Sequence, residues 1–245
     1  MNEPARRADQ IEAELARLGS PERAAGEQKY LKSDMRFLGV ALADIRRVAK
    51  VTSADPQLDR AATVRLVEAL WREPVFERRM VASLLLEFHA ADLRTEDLKT
   101  IEWMIRGSKT WALVDVLSGD VVGDMALRLK IRRTLDRWAR DPDFWVRRSS
   151  LLAELKPLKH GASFEPFAGR ADAMLDETEF FIRKAIGWVL RETSKRRPDE
   201  VYDWIAPRTD RASGVTMREA VKYLDAERAS RLMHAYREGR PAADW

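Results

Sequence analysis

An aromatic ring and a carboxylate one helical turn apart, Trp111 and Asp115 in the stretch Lys109-Thr110-Trp111-Ala112-Leu113-Val114-Asp115, are the residues of this chain best placed to do chemistry. Residues four apart on a helix share a face, so the pair offers an electron-rich indole and a negative charge to one ligand. The chemistry this allows is stabilisation of a cationic or electron-poor group. Other catalytic apparatus is missing from the sequence. There is no cysteine, and His89, His160 and His234 are scattered without metal-ligand spacing, which reads as surface or satisfied histidine. Gly119-Asp120-Val121-Val122-Gly123 lacks the Lys-Ser/Thr ending of a phosphate loop, and no serine sits in a nucleophile elbow. Any catalysis therefore falls to a carboxylate and aromatic rings, and no metal or cofactor is expected.

The elements that position this pair are repeated. Phrases similar to the one at Trp111 start at Phe76, Trp145, Phe181 and Thr216, so the recurrence is every 34 to 36 residues. That period, filled with helical sequence, predicts an all-α fold: an α-solenoid of HEAT-like helical hairpin repeats in a single curved domain over residues 1–238, followed by a frayed tail from Gly239 to Trp245. In the column of Asp115 the other repeats carry Met80, Ser149, Ala185 and Ala220, so it is the one charge there. An acid in such a column has to be paired, capped or exposed to a groove, and Arg148 is a candidate partner. Trp71, Trp103, Trp138 and Trp204 read as core, a reading that also stands open for Trp111 and Trp188.

Helix boundaries follow from punctuation. Ser108 or Thr110 is expected to cap the helix of Trp111, which should stop at Val122 before Gly123. Met125 to Trp138 reads as the next helix. Asp141-Pro142 is expected as the N-cap and first residue of the helix carrying Trp145.

Lys and Arg number 44 against 40 Asp and Glu, a net charge of +4, with a pI near 9.4. Placement says more than the sum. Arg78/Arg79, Arg147/Arg148 and Arg183/Lys184 occupy equivalent points of three repeats, and stacking would line them along one surface able to follow a phosphate backbone; a solvated face with local ion pairs is the other reading. Apolar residues at 45% argue against disorder. Met1 to Arg17 lacks the apolar core of a signal peptide, and the longest apolar run is too short for a bilayer, so a cytoplasmic protein that does not enter membranes is expected. From spacing alone, a protein-binding scaffold is the first reading of such an array.

Trp111-Ala112-Leu113-Val114-Asp115, Phe144-Trp145-Val146-Arg147-Arg148 and above all Phe180 to Glu192 (FFIRKAIGWVLRE) resemble the HEAT-like DNA glycosylases of the DNA alkylation repair family. The likeness runs from Tyr30-Leu31-Lys32 to Arg218-Glu219-Ala220, and departs at Thr110 and Ala112, where a second tryptophan and an acidic or amide residue are common. By this resemblance Asp115 is the catalytic aspartate, Trp111 the lesion-side tryptophan, Arg148 the catalytic arginine and Trp188 a second stacking tryptophan, with Tyr30 and Arg191 in contact with DNA. It implies a monofunctional glycosylase of base excision repair, a monomer associated with the nucleoid. Its substrate is duplex DNA carrying cationic N3- or N7-alkylated purines, held by the backbone and not by a deep base-flipping pocket. The alternative is a non-catalytic repeat protein that binds DNA structures or a protein partner.

Overall fold

The computed structural model describes residues 3–242, and no β-strand occurs among them. Sixteen stretches of α-helix follow one another: α1 (Glu3–Leu18), α2 (Pro21–Leu31), α3 (Leu42–Ser53), α4 (Arg60–Arg72), α5 (Phe76–Phe88), α6 (Leu98–Gly107), α7 (Trp111–Asp115), α8 (Gly123–Arg128), α9 (Arg132–Trp138), α10 (Phe144–Leu152), α11 (Leu155–Lys159), α12 (Glu165–Ala173), α13 (Phe180–Ser194), α14 (Pro198–Ile205), α15 (Gly214–Ala220) and α16 (Ala226–Arg237). The fold is all-α, built of helical hairpin repeats, and the chain divides into two compact units, up to Leu129 and from Lys130 on.

In the first unit α4 and α5 form a hairpin, with α1 and α3 also packed on them. Its interior is apolar, with Trp71, Leu84, Leu85, Ile101, Met104, Leu113 and Leu117 all essentially inaccessible. Each such side chain contributes roughly 1.5–3 kcal/mol relative to exposure. In the second unit α13 is the central element, packed against α10, α11, α14 and α15. Its core runs through Leu151, Phe167, Ile186, Leu190, Val201 and Ile205.

Four boundaries depart from the sequence reading, the first being the helix expected from Met125 to Trp138, which is broken at 129–131 into the end of α8 and the start of α9. Gly123 does not end the helix of Trp111: α7 passes without interruption through a π-helical segment, Val116–Val122, into α8 and stops only at Arg128. Packing overrides the glycine, because Val121, Val122 and Met125 are all fully buried. Neither Ser108 nor Thr110 caps α7 with its side chain; the Ser108 hydroxyl donates to the Met104 carbonyl at 2.9 Å. The cap of α10 is Asp143, which accepts from the Trp145 amide at 2.8 Å, two residues beyond the expected Asp141. The tail is also less loose than expected as far as Ala242, which is fully buried, while the Thr209 hydroxyl donates to the Arg240 carbonyl at 2.7 Å. The remainder, 243–245, lies outside the described residues. Among these residues no helix is long and apolar enough to cross a membrane.

Candidate active site

Trp111 opens α7 and Asp115 closes it. Leu113, Val114 and Leu117 turn into the core, which leaves Trp111 and Asp115 half-buried on the other side of the helix. The carboxylate is thus neither sealed in nor fully solvated. Directly after it the hydrogen-bond register widens into the π-helical segment, a distortion often found at functional sites because it re-aims the flanking side chains.

Tyr30 comes to Trp111 from the last turn of α2. Its ring lies edge-on to the indole, with centroids 5.9 Å apart at 83°, and the residue is 71% exposed. The meeting of these two rings rests on the loop that follows α2. There Glu77, fully buried in the first turn of α5, accepts backbone N–H bonds from Leu38 at 3.0 Å, Gly39 at 2.7 Å and Val40 at 3.3 Å. Gly39 needs its φ of +75°, and a Cβ there would fall 2.1 Å from the Ser20 carbonyl oxygen at the start of α2. A two-residue bridge adds to this, with the Arg36 amide donating to the Pro74 carbonyl and the Phe76 amide to that of Arg36, both at 2.9 Å.

On the other side of the ring pair, Lys109 enters α7 with φ +54°, an uncommon left-handed conformation for a side-chain-bearing residue. Its ammonium pairs with Asp34 at 2.8 Å, and this hydrogen bond, opposed by desolvation, holds the Asp34 carboxyl below its usual value. Lys32, just after α2, also has positive φ, at 49°. Two strained lysines therefore flank the Tyr30–Trp111 corner, as backbone strain tends to at functional sites. Sequence reasoning gave neither a role; a left-handed lysine leaves no trace in composition or periodicity.

The row of cations is placed differently from the expectation that it lines a surface. Arg78, Arg79 and Arg148 are buried. Arg78 donates to the carbonyls of Ala69 and Leu70, both at 3.2 Å, and pairs with Asp9 and Glu12. Arg79 donates to the carbonyls of Trp71 at 3.1 Å, Glu73 at 3.2 Å and Gly107 at 2.7 Å, with its guanidinium 5.1 Å from the Trp71 ring. Burial lowers its pKa from the ordinary guanidinium value, against the opposing pull of Asp34 and Glu73. The last carbonyls of a helix lack intrahelical partners, and these arginines satisfy those of α4. The recurrence of Arg pairs thus reflects in part how a repeat is tied together.

In the second unit, Arg147 makes a two-pronged pair with Glu177 at 2.8 and 2.9 Å and donates to the carbonyls of Asp141 and Pro142. Arg183 donates to the Glu177 carbonyl at 2.6 Å. Arg148 donates to the Phe181 carbonyl and lies 5.7 Å from that ring, bracing α10 against the first turn of α13. Among the six cations of the row Lys184 alone is exposed, 5.9 Å from the Phe180 ring. Trp188 is half-buried and packs against the core of this unit. Next to it Gly187 lets α13 and α15 approach closely, since a Cβ there would come within 2.8 Å of the Glu219 Cβ and 3.1 Å of the Thr216 Cα. Arg191 pairs with Glu219 and, at 3.2 Å, with Glu192. No group of three His, Asp or Glu able to hold a metal occurs among the described residues.

This chain is similar to solved structures of the same helical-repeat kind. A protein of Enterococcus faecalis described as a predicted DNA alkylation repair enzyme superposes with a TM-score of 0.77 at 25% identity, over 85% of this chain and 97% of that one. Two Streptococcus mutans proteins, AlkD2 and smu.31, superpose with TM-scores of 0.60 and 0.59, each at 18% identity; they cover 88% and 83% of this chain and 100% and 98% of their own, and they speak for the fold alone. No curated protein matches the chain. The model of the DNA alkylation repair enzyme family matches residues 11–224, nearly the whole of the described chain, and the protein belongs to that family.

Proposed function

We propose that this DNA alkylation repair protein is a monofunctional DNA glycosylase that releases cationic N3- and N7-alkylated purines from duplex DNA of the cytoplasmic nucleoid. The observation that carries this reading is the half-buried pair Trp111 and Asp115, one turn apart on α7, with the exposed Tyr30 ring against Trp111, in a chain of this family.

The chemistry follows from charge. An alkylated purine already bears a positive charge and departs as a neutral base, so its leaving needs little protonation. The bond that breaks is the N-glycosidic bond; its electron pair goes to the base and leaves the sugar as an oxocarbenium ion. Asp115 stabilises that cation and orients the water that adds to it, whose proton goes to solvent. Trp111 offers its electron-rich face to the cationic nucleotide. Electrostatic stabilisation by one group of this kind is worth about 2.7–4 kcal/mol, or two to three decades of rate. Trp188 is the second stacking ring in this reading, and Tyr30 and Arg191 contact the duplex. Arg148, tied to Phe181, acts by holding α10 and α13 in place.

The test is release of N7-methylguanine and N3-methyladenine from alkylated duplex. Asp115→Asn is expected to slow release by roughly 10²- to 10³-fold while duplex affinity stays close to that of the parent. Equal release by both proteins would remove Asp115 from the mechanism, and absence of release by the parent would leave a DNA-binding repeat protein.

A further inference from the structure

Trp103 belongs with the core tryptophans by its spacing, yet it is 46% exposed, whereas Trp71 and Trp138 are sealed. It stands in a groove of about 460 Å³ between α4 and α6, lined also by Glu68, Arg72, Lys99 and Thr100. That volume is within the range of clefts that hold small ligands, roughly 300–1,000 Å³. Lys99 and Trp103 are one turn apart on α6, as are Glu68 and Arg72 on α4, so two helix faces present an ammonium with an indole and a carboxylate with a guanidinium.

The polar groups here differ from the arginine braces elsewhere. Arg72 and Lys99 are exposed, and neither side chain makes a hydrogen bond or ion pair to another described residue. Glu68 is held by the Thr100 hydroxyl at 3.0 Å, which fixes it at the groove and leaves its second oxygen as an acceptor. An accessible indole flanked by two unpaired cations is complementary to a flat ring carried on an anionic backbone. Trp71, one residue from Arg72, faces inward, so the exposed ring is a property of α6 and not of the repeat as a whole.

We infer that the α4–α6 groove binds single-stranded nucleic acid: an unpaired base stacks on Trp103, its flanking phosphates meet Arg72 and Lys99, and Glu68 accepts from the base's amino or imino groups. A paired base cannot offer its face to the indole, so the groove selects unpaired over paired strands. This is separate from the Trp111–Asp115 site and does not depend on the glycosylase reading.

The experiment measures the affinity of the whole chain for a fluorescein-labelled thymidine decamer by anisotropy, across a salt series, beside a hairpin duplex of the same charge. Trp103→Ala is expected to weaken decamer binding roughly fivefold to a hundredfold, the range for one base–aromatic stack. Arg72→Ala with Lys99→Ala is expected to flatten the slope of log affinity against log salt by about 1.4, at about 0.7 per phosphate contact on a single strand. Duplex affinity should hold in both. All three side chains are exposed, so the melting temperatures of the variants should match the parent. Decamer binding unchanged in both variants overturns the inference. So does a poly-glutamate peptide that binds more tightly than the decamer with the same dependence on Trp103, which would give the groove to an acidic protein segment.

Discussion

Tyr30 shows what one ring can contribute at the candidate active site. Its edge-to-face contact with Trp111 is of the kind worth about 0.5–1.5 kcal/mol beyond area burial. If that contact holds the indole at the angle the lesion needs, Tyr30→Ala is expected to slow base release by roughly two- to tenfold, and Tyr30→Phe, which keeps the ring, to leave it near the parent. Single-turnover rates at saturating enzyme separate this from weaker DNA binding, and equal rates for all three proteins would deny the ring any positioning role. Nothing in the sequence announced the pairing, because residues 30 and 111 are far apart in the chain and meet only through the fold.

At the scale of elements, the loop 37–40 is held by one buried carboxylate. A glutamine at 77 puts an N–H₂ among backbone donors and gives up charge-assisted bonds, so Glu77→Gln is expected to cost about 2 kcal/mol, a drop of roughly 4–8 °C in melting temperature. Calorimetry checks it, and a shift under one degree would mean that the loop finds other partners. The attachment of α1 works through charge. Glu12 is raised by desolvation, but its bonds to Arg78 and Arg36 outweigh that and its carboxyl ends below the ordinary value. A depressed acid contributes stability above its unfolded pKa and loses it as the pH falls through the folded one. Glu12→Gln should therefore cost about 1 kcal/mol at pH 6, discounted for solvent screening, and progressively less at a pH low enough to protonate the parent's lowered carboxyl. Urea unfolding at the two pH values reads the difference; an equal cost at both would make the contact a matter of shape. Gly123 misled, since a glycine is a stop signal only where packing does not carry the helix through it.

For the molecule as a whole, the 35-residue period and the apolar spacing made the all-α repeat architecture legible, because both are set by how hairpins stack. The destination of the cations was not, because the same Arg pair can face phosphate or reach back to the carbonyls of the preceding helix, and sequence spacing is identical in the two cases. With Arg78, Arg79 and Arg148 buried and Arg147 and Arg183 bonded to Glu177, the share of this row in duplex affinity should rest on the one cation of the six that stays exposed. Salt dependence separates the two fates. Each phosphate contact on duplex DNA contributes about 0.9 to the slope of log affinity against log salt. Lys184, exposed on α13, is expected to make one such contact, so Lys184→Ala should flatten the slope by about 0.9 with an unchanged melting temperature. Arg79→Lys should do the reverse. An ammonium has one point of charge where the guanidinium now serves the carbonyls of Trp71, Glu73 and Gly107, so stability should fall by roughly 1–3 kcal/mol while the salt slope stays put. A flattened slope in Arg79→Lys at full stability would mean that this guanidinium reaches the phosphates after all.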